Sequence, residues 1–376
     1  MQFQVSHSIK QFTQLEWNNI ADTNYPFLRH EFLSALETHD CVGEKYGWIP
    51  RFLAIRDTNG KLSGAIPLYL KTNSYGEFVF DWSWADAYQR QGLKYYPKAV
   101  VAVPYTPVTG PRLLIASHCD QQATALQLIQ FAKQFSESEG LSSLHWLFTN
   151  DEQTTWLKEK QFSLRLGCQF HWQNHEYANF DAFLATMTTR KRKKIKRERR
   201  HVTEANIEHR IVHGHEADNA LLTTMYDFYQ TTFEKKSGCP TLSLSFFTEI
   251  AQTMGEQLVF IVATKDSKAV AGAICFRSQE TLYGRHWGCY EDYHSLHFET
   301  CYYQGIEYCI KNKLEYFEPG AQGEHKISRG FLPIETWSAH WIADAGFNDA
   351  IKHFLSHEQT AMKDYIEELR NRSPYK

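Results

Sequence analysis

The sequence predicts an α/β protein built from two domains that share one fold. Its 376 residues exceed the usual size of a single hydrophobic core, so two domains are expected. Apolar runs with strand character alternate with segments of helical periodicity, as in layered α/β folds. Residues 52–68 (FLAIRDTNGKLSGAIPL) and 260–276 (FIVATKDSKAVAGAICF) align without a gap, which indicates a duplication.

Both copies of the repeat are predicted to be β-hairpins, because a turn sequence (DTNG or KDSK) separates two apolar runs. The first half is expected to contain a helix over 27–38, the hairpin over 51–70, a strand over 77–84, a helix over 121–139 and a strand over 143–148. The second half is expected to contain a basic helix over 180–205, helices over 216–234 and 248–254, the second hairpin, a strand over 282–290, a helix over 297–312, a strand over 314–317 and a closing helix over 348–370.

These elements divide the chain into predicted domains 1–170 and 171–350, followed by a C-terminal helix in 351–376. The composition is that of an ordinary globular enzyme, with 43% hydrophobic and 22% charged residues. The net charge of −3 means that any affinity for an anionic partner must come from a local patch. Aromatic residues make up 15% of the chain, a high share that suits large cores and ligand grooves.

A cytoplasmic location is expected from three features of the sequence. No apolar run approaches the roughly 20 residues that span a bilayer, and residues 1–12 lack the apolar core of a secretion signal. The eight cysteines are scattered and form no C-x-x-C pair. We therefore expect no metal site and no tightly bound cofactor.

The segment 317–331 (FEPGAQGEHKISRGF) is the strongest candidate for an active site. It follows a predicted buried strand, and loops at strand ends are where active sites gather. Glu324, His325 and Lys326 place an acid, an imidazole and an amine side by side. Lys326 is predicted to stabilise an oxyanion or leaving group, and Glu324 or His325 to be the base. The alternative is a polar turn without chemistry.

The same segment is predicted to bind substrate. Glycines let backbone N–H groups approach a ligand closely, so Gly320, Gln322 and Gly323 are candidates for this contact. Arg329 is a candidate anchor for a carboxylate or a phosphate.

The helix over residues 296–310 (LHFETCYYQGIEYCI) adds an acid and tyrosines. Glu299 is either a structural acid of the first turn or a buried general base, and the structural interpretation is favoured. Tyr303 is a candidate substrate contact on this helix.

A substrate groove is expected to be lined by residues of both halves. The strand motif GRHWG contributes Arg285, His286 and Trp287. The first half contributes Trp82, Trp84, Tyr105 and Arg112, although the prolines at 104, 107 and 111 equally suggest a stiff structural wall.

Residues 190–200 (RKRKKIKRERR) contain nine basic residues in eleven. A solvated helix face is the plain interpretation of such a run. The alternative is an anion patch for a nucleic-acid backbone, a nucleotide diphosphate sugar or anionic lipid head groups. The candidate contacts are Arg190, Lys191, Arg192, Lys194 and Arg197.

These motifs together resemble the bacterial peptidoglycan biosynthesis/recognition proteins, a family of predicted N-acyltransferases related to the Fem aminoacyltransferases. The stretches that carry the resemblance are 47–57, 64–88, 95–114, 169–174, 190–199, 282–288 and 296–331. The resemblance implies two tandem GNAT-like domains. It also implies transfer of an acyl or aminoacyl group to the amine of a small or cell-wall-precursor acceptor.

The resemblance also bears on the donor, which is aminoacyl-tRNA in the Fem enzymes. Those enzymes carry a basic helix where this chain has 190–200, and a Phe-Lys pair where it has His325 and Lys326. Members that use acetyl-CoA hold its pyrophosphate in a glycine-rich loop, but residues 289–296 (CYEDYHSL) contain two acids and no glycine. In the first half, residues 85–93 contain only Gly92.

Three functions stay open at this point. The chain is an aminoacyl- or acyltransferase, with tRNA as a partner through the basic helix; or an acetyl-CoA-dependent GNAT acetyltransferase; or a non-catalytic module that binds peptidoglycan or RNA. A peripheral contact with a membrane is open in each case.

Overall fold

The computed structural model describes residues 2–235, 238–321 and 323–376. The chain forms two compact units. The first unit contains the chain up to Cys168 together with Glu335–Tyr365, and the second contains Gln169–Ile334 and Ile366–Lys376.

The bounds of the elements are as follows. The strands are β1 (Gln2–Ser6), β2 (Trp48–Arg56), β3 (Leu62–Lys71), β4 (Lys98–Val101), β5 (Leu114–Ile115), β6 (Ser143–Thr149), β7 (Ser163–Gln173), β8 (Glu208–His213), β9 (Leu258–Lys265), β10 (Lys268–Arg277), β11 (Thr281–Cys289), β12 (Tyr316–Glu318) and β13 (Leu332–Ile342). The helices are α1 (Gln14–Asn18), α2 (His30–Thr38), α3 (Trp82–Arg90), α4 (Gln121–Ser138), α5 (Asp151–Glu159), α6 (Phe180–Thr186), α7 (Thr189–Glu204), α8 (Asn219–Lys235), α9 (Leu244–Thr253), α10 (Leu296–Phe298), α11 (Gln304–Asn312) and α12 (Ala345–Arg370).

The first unit is organised around a mixed sheet with the order β1-β2-β3-β4-β6-β13, and β5 pairs with β3. Its neighbours are antiparallel except for β4 and β6, which are parallel. Helix α4 packs on this sheet through Ala125, Leu128, Ile129 and Ala132, which are all buried in the core. The helical spacing of these residues is therefore the reason that the helix lies flat on the strands.

The second unit repeats this arrangement. Its strands follow the order β8-β9-β10-β11-β12-β7, antiparallel except for the parallel pair β11 and β12. Helix α8 lies so close to β11 that a Cβ at Gly288 would overlap the Phe228 carbonyl. The sequence of strand orientations is the same in both units, and β2–β3 and β9–β10 occupy equivalent places. The predicted hairpins and the duplication are confirmed.

The division of the chain differs from the predicted domains. We predicted 335–350 in the second domain and 351–376 as a separate helix, but 335–365 belong to the first unit. The reason is strand pairing: Trp337–Ile342 of β13 pair antiparallel with Ser143–Thr149 of β6. The strand that completes the first sheet therefore comes from the C-terminal part of the chain. The predicted boundary at 170 lies two residues from the structural one at 168.

Most predicted elements are present, and two are wrong. Residues 77–84 are not a strand, because they form a loop that enters α3 at Trp82. Phe78 has a φ of 61°, which is incompatible with extended backbone. The basic segment is not one helix, because α6 ends at Thr186 and α7 begins at Thr189.

Candidate active site

The glycine-rich segment forms a short 3-10 helix, Glu324–Arg329, which we call the 324–329 turn. Gly323 (φ 120°) and Gly330 (φ 101°) flank it in backbone conformations that side chains disfavour. A Cβ at Gly330 would lie 2.8 Å from the Tyr375 hydroxyl, so there is no room for a larger residue. Gln322, a predicted substrate contact, lies outside the described residues.

Lys326 is a buried cation on the inner side of this turn. Its side chain is 3% exposed, and Nζ donates a hydrogen bond to the Gly320 carbonyl at 2.6 Å. Burial lowers the pKa of Lys326 from 10.5 to about 8. Burial, and then the positive charge of Lys326, lowers the pKa of His171 to about 3. Lys326 is thus an ammonium at neutral pH that holds its proton weakly and has donors beyond the one used.

His325 lies on the exposed side of the turn and is held by a tyrosine. The Tyr302 hydroxyl lies 2.9 Å from His325 Nε2 and 3.4 Å from His297 Nε2. His297 Nδ1 in turn lies 3.5 Å from Cys301 Sγ. Because Nε2 of His325 is engaged by Tyr302, Nδ1 is the ring nitrogen that can exchange a proton with a substrate. Burial, then the charges of Arg329, Lys326 and Lys194, lowers the pKa of His325 below 6.5.

Tyr302 lies in a part of the helix that is locally widened. Residues Glu299–Tyr303 form a π-turn between α10 and α11. A π-turn inserts one residue into the helical repeat, which shifts side chains relative to ordinary spacing and is frequent at functional sites. The sequence signal of regular helical spacing therefore missed Tyr302 and His297.

A buried ion pair fixes the far end of the turn. Arg329 Nη2 donates to Glu198 Oε1 of α7 at 2.8 Å, and Arg329 Nη1 donates to the His325 carbonyl at 2.8 Å. The Tyr303 hydroxyl also donates to Glu198. The Arg329 guanidinium lies 3.4 Å from the centre of the Phe298 ring. These internal partners argue against the predicted roles of Arg329 and Tyr303 as substrate contacts and make both residues part of the support for His325.

The two predicted acids are also occupied. Glu299 is 4% exposed and accepts hydrogen bonds from Arg199 and Gln304. Burial raises its pKa, and Arg199 opposes that rise. Glu324 is half exposed and forms an ion pair with Arg372 at 2.8 Å. These partners favour the structural interpretation of Glu299, and His325 is better placed than Glu324 to act as the base.

Strand β11 brings one predicted contact near the histidines. The Trp287 ring lies 5.1 Å from the His297 ring, edge to face. His286 faces Tyr229 at 4.7 Å, and burial lowers its pKa to about 3. Arg285 is partly buried on the same strand. Trp287 joins the cluster around the turn, whereas His286 packs on α8.

Two of the four groove residues predicted from the first half lie in the core. Arg112 is fully buried and donates to the carbonyls of Leu147, Val108 and Pro111, so it is not an anchor for substrate. Trp84 is 4% exposed and packs on His340. Tyr105 is partly buried and donates to the Cys41 carbonyl. Trp82 is exposed.

Helix α7 has one buried face and one cationic face. Ile195, Glu198 and Val202 are buried, at helical spacing. The outer face carries the predicted anion patch, of which Arg190 and Arg197 are exposed while Lys191, Arg192 and Lys194 are partly buried. Glu198 is the only acid within the run 190–200, and this isolated acid is the signal that could have indicated a buried cation partner.

The loop between β11 and α10 offers no phosphate site of the usual kind. Its acids are engaged within the loop, since Tyr293 donates to Glu291 and the Cys289 thiol donates to Asp292. The segment enters α10 at Ser295 with a φ of 68° and no side-chain cap. Two carboxylates at this place would repel a pyrophosphate.

Two global features of the described residues bear on ligands. No group of three or more His, Cys, Asp or Glu side chains converges there as a metal site would require. Within the same residues, no helix is long and apolar enough to cross a membrane.

Comparison with known proteins gives a family and a fold. A family model described as peptidoglycan biosynthesis/recognition, FemAB-like, matches residues 8–376. No curated protein sequence matches the chain significantly.

Solved structures match at low identity. FemX matches with a TM-score of 0.54 and 11% identity over 93% of this chain and 100% of its own. The C-terminal domain of a protein assigned as a lysylphosphatidylglycerol synthetase from Agrobacterium fabrum gives 0.54 and 7% over 90% and 94%. L-PGS from Bacillus licheniformis gives 0.50 and 9% over 87% and 96%. The expected fold class, two tandem α/β domains of one repeated fold, is confirmed, and FemX shares this fold.

Proposed function

This chain belongs to the FemAB-like family of peptidoglycan biosynthesis/recognition proteins, and we propose that it is an N-acyltransferase whose active site is the 324–329 turn. The observation that carries the proposal is the side-by-side placement of an exposed imidazole, His325, held through Nε2 by Tyr302, and a buried amine, Lys326. At neutral pH His325 is a neutral base and Lys326 is a buried acid, because burial lowers both pKa values. Acyl transfer to an amine needs one group of each kind.

The chemistry follows from these two side chains. The acceptor amine attacks the carbonyl carbon of the donor, and His325 Nδ1 takes the proton that the nitrogen loses as the C–N bond forms. The Lys326 ammonium donates a hydrogen bond to the carbonyl oxygen as negative charge develops there. When the bond to the leaving group breaks, the imidazolium of His325 returns its proton to that group. Tyr302 and Arg329 hold His325 in place.

We propose an aminoacyl-tRNA as the donor rather than an acyl-CoA. The acids at 291 and 292 lie where a pyrophosphate would bind in a CoA-dependent member, which disfavours CoA. The exposed cations of α7 suit a nucleic-acid backbone instead. No tightly bound cofactor is needed for this reaction.

The acceptor is proposed to be an amine of a cell-wall precursor. This assignment follows from the family, whose description concerns peptidoglycan biosynthesis and recognition. The two solved structures named for lysylphosphatidylglycerol or L-PGS make a lipid head group the second acceptor to test.

The proposal is tested by offering both donors to the purified protein. An amine-bearing muropeptide precursor is incubated with charged bulk tRNA or with acetyl-CoA, and product mass is measured. We expect a mass increase of one aminoacyl residue with charged tRNA and none with acetyl-CoA. The increase should disappear in His325→Ala and persist in Glu324→Ala, the matched control on the same turn. Binding of precursor without any transfer from either donor would favour a recognition module.

A further inference from the structure

The first unit exposes four aromatic rings within eight residues. Tyr75 is 70% exposed, Phe78 40%, Phe80 51% and Trp82 40%. The segment 75–82, which we call the aromatic loop, joins β3 to α3. Isolated exposed rings are common on soluble proteins, whereas clustered ones mark an interaction surface, and the rings of Tyr75 and Trp82 are in contact at 5.0 Å.

Buried charged side chains hold the loop in place. Its carboxylates, Glu77 and Asp81, are each at most 3% exposed and both accept from Lys98, whose side chain is fully buried. Ser74 also accepts from Lys98 at 2.9 Å. Burying such a cluster is expensive, and pairing repays the cost only in good geometry. The loop thus turns its acids inward and its rings outward.

The backbone of the loop is also held in place. The Tyr75 carbonyl accepts from Lys71 Nζ at 3.1 Å and from Trp48 Nε1 at 3.1 Å. Gly76 has a φ of 79°, and a Cβ there would meet the Tyr105 ring at 2.6 Å. Phe78 has a φ of 61°, which costs free energy for a bulky residue. The strained backbone and the buried ion cluster together hold the loop in the conformation that exposes the rings.

The charges next to the loop bear on what kind of surface it binds. Helix α3 continues from the loop and ends near Arg90, Leu93 and Lys94, all exposed, with Leu93 at 46%. The one exposed acid of α3, Asp86, lies 3.7 Å from Arg90. Within residues 75–94 two exposed cations therefore stand beside one exposed acid, because Glu77 and Asp81 are paired inside. Glu358, which lies nearby, is paired with Arg165.

We infer that the aromatic loop and the end of α3 dock on a lipid bilayer surface. Tyrosine and tryptophan rings combine an apolar body with a polar tip and accumulate at the level of lipid head groups. Arg90 and Lys94 match anionic head groups beside them. Glu77 and Asp81 face Lys98 inside the unit, so the loop exposes no carboxylate that anionic head groups would repel. The inference stands independently of the proposed acyl transfer.

Vesicle co-sedimentation of the full-length protein tests this inference. We expect the wild type to pellet with phosphatidylcholine vesicles and more strongly with vesicles that also contain phosphatidylglycerol. Salt at about 0.5 M screens the contribution of the basic helix α7 and leaves the contribution of the rings. The double variant Phe80→Ser, Trp82→Ser should lower the partition coefficient roughly tenfold or more, by the free energy of burying two aromatic rings.

Phe354→Ser is the matched control, because Phe354 is another exposed ring of the first unit, at 44%. It should leave vesicle binding unchanged. Since all three rings are exposed, unchanged melting temperatures are expected and confirm folding. The inference is overturned if the wild type does not bind either vesicle, or if the double variant and the control bind equally well. Retention on a glycan column without vesicle binding would also overturn it.

Discussion

At the scale of single residues, the active-site proposal depends on two pKa values that burial has lowered. Lys326 titrates at about 8 instead of 10.5, and His325 titrates below 6.5. Desolvation is the largest cause of both pKa shifts, and nearby cations lower the pKa of His325 further. The two side chains therefore define a pH window in which one is charged and its neighbour is neutral.

The rate of acyl transfer should accordingly follow a bell-shaped pH profile. Activity falls at low pH as His325 becomes protonated, below pH 6.5, and falls at high pH as Lys326 loses its proton near pH 8. In Lys326→Arg the alkaline limb should move upward by more than two pH units, because a guanidinium stays charged. An alkaline limb that stays near pH 8 in this variant would assign it to another group.

Lys326 should also reduce the stability of the protein. Its folded-state pKa lies below its unfolded value, so between pH 8 and 10.5 the unfolded chain binds more protons and the free energy of unfolding rises with pH. The cost of the buried charge is fully present below pH 8. Lys326→Met removes up to about 3 kcal/mol of this cost and loses about 1 kcal/mol of hydrogen bonding.

We therefore expect Lys326→Met to be about 1–2 kcal/mol more stable than the wild type at pH 7. The difference should shrink as the pH rises from 8 to 10.5, because the folded-state lysine is then already neutral while the unfolded one still binds a proton. Urea denaturation at both pH values measures it. A variant that is less stable than the wild type at pH 7 would contradict the account of a strained, desolvated lysine.

At the scale of elements, helix α7 both supports the turn and carries the cationic surface. Glu198 on its buried face pairs with Arg329, which in turn bonds the His325 carbonyl. Glu198→Gln leaves the Arg329 charge buried without a counterion and should cost roughly 3–5 kcal/mol. Glu204→Gln on the same helix, exposed and paired with Arg200, should cost under about 0.5 kcal/mol. Equal losses in thermal denaturation would contradict a special role for Glu198.

The exposed cations of α7 lead to a separate prediction about the affinity for tRNA. Reversing Arg190 and Arg197 to Glu should weaken binding and lower the dependence of log affinity on log salt by about one per removed phosphate contact. Filter binding across a salt series measures this slope. Lys268→Glu is the control, because Lys268 is an exposed cation at the start of β10. A slope that is the same in all variants would remove α7 from the interface.

Local pattern predicted the regular elements well, and side-chain partners explain where it failed. Helix α4 and both hairpins follow directly from apolar spacing and turn residues. The segment 77–84 is rich in aromatic and β-branched residues like a strand, but Lys98 pairs with Glu77 and Asp81 inside the unit and the chain forms a loop there. The link from Tyr302 to His325 depends on a π-turn, which no regular period reveals.

At the scale of the whole molecule, the duplication was visible in one hairpin of each half, but the division of the chain was not. The same order of strand orientations recurs in both units, yet the first sheet is completed by β13 from the C-terminal part. Nothing in the 335–342 sequence indicates its partner strand, because pairing between distant segments depends on tertiary packing. The candidate site was predicted as a segment, whereas its supporting partners were found only in the structure.

Because β13 comes from the C-terminal part of the chain, we predict that the first unit cannot fold without that part. A truncation after Ile334 removes the part of β13 that pairs with β6, together with 366–376 of the second unit, and leaves β6 with an unpaired apolar edge. We expect the truncated chain to aggregate or to melt without cooperativity in near-ultraviolet circular dichroism. A cooperative transition like that of the full chain would contradict the assignment of 335–365 to the first unit.

The most direct test of the central claim is the single-turnover rate of aminoacyl transfer in variants of the 324–329 turn. With charged tRNA and an amine-bearing precursor, we expect Lys326→Met and His325→Gln each to slow transfer by about 100-fold or more while leaving donor binding intact. Glu324→Gln should transfer at the wild-type rate. Transfer at an undiminished rate in both Lys326→Met and His325→Gln would show that the chemistry takes place elsewhere.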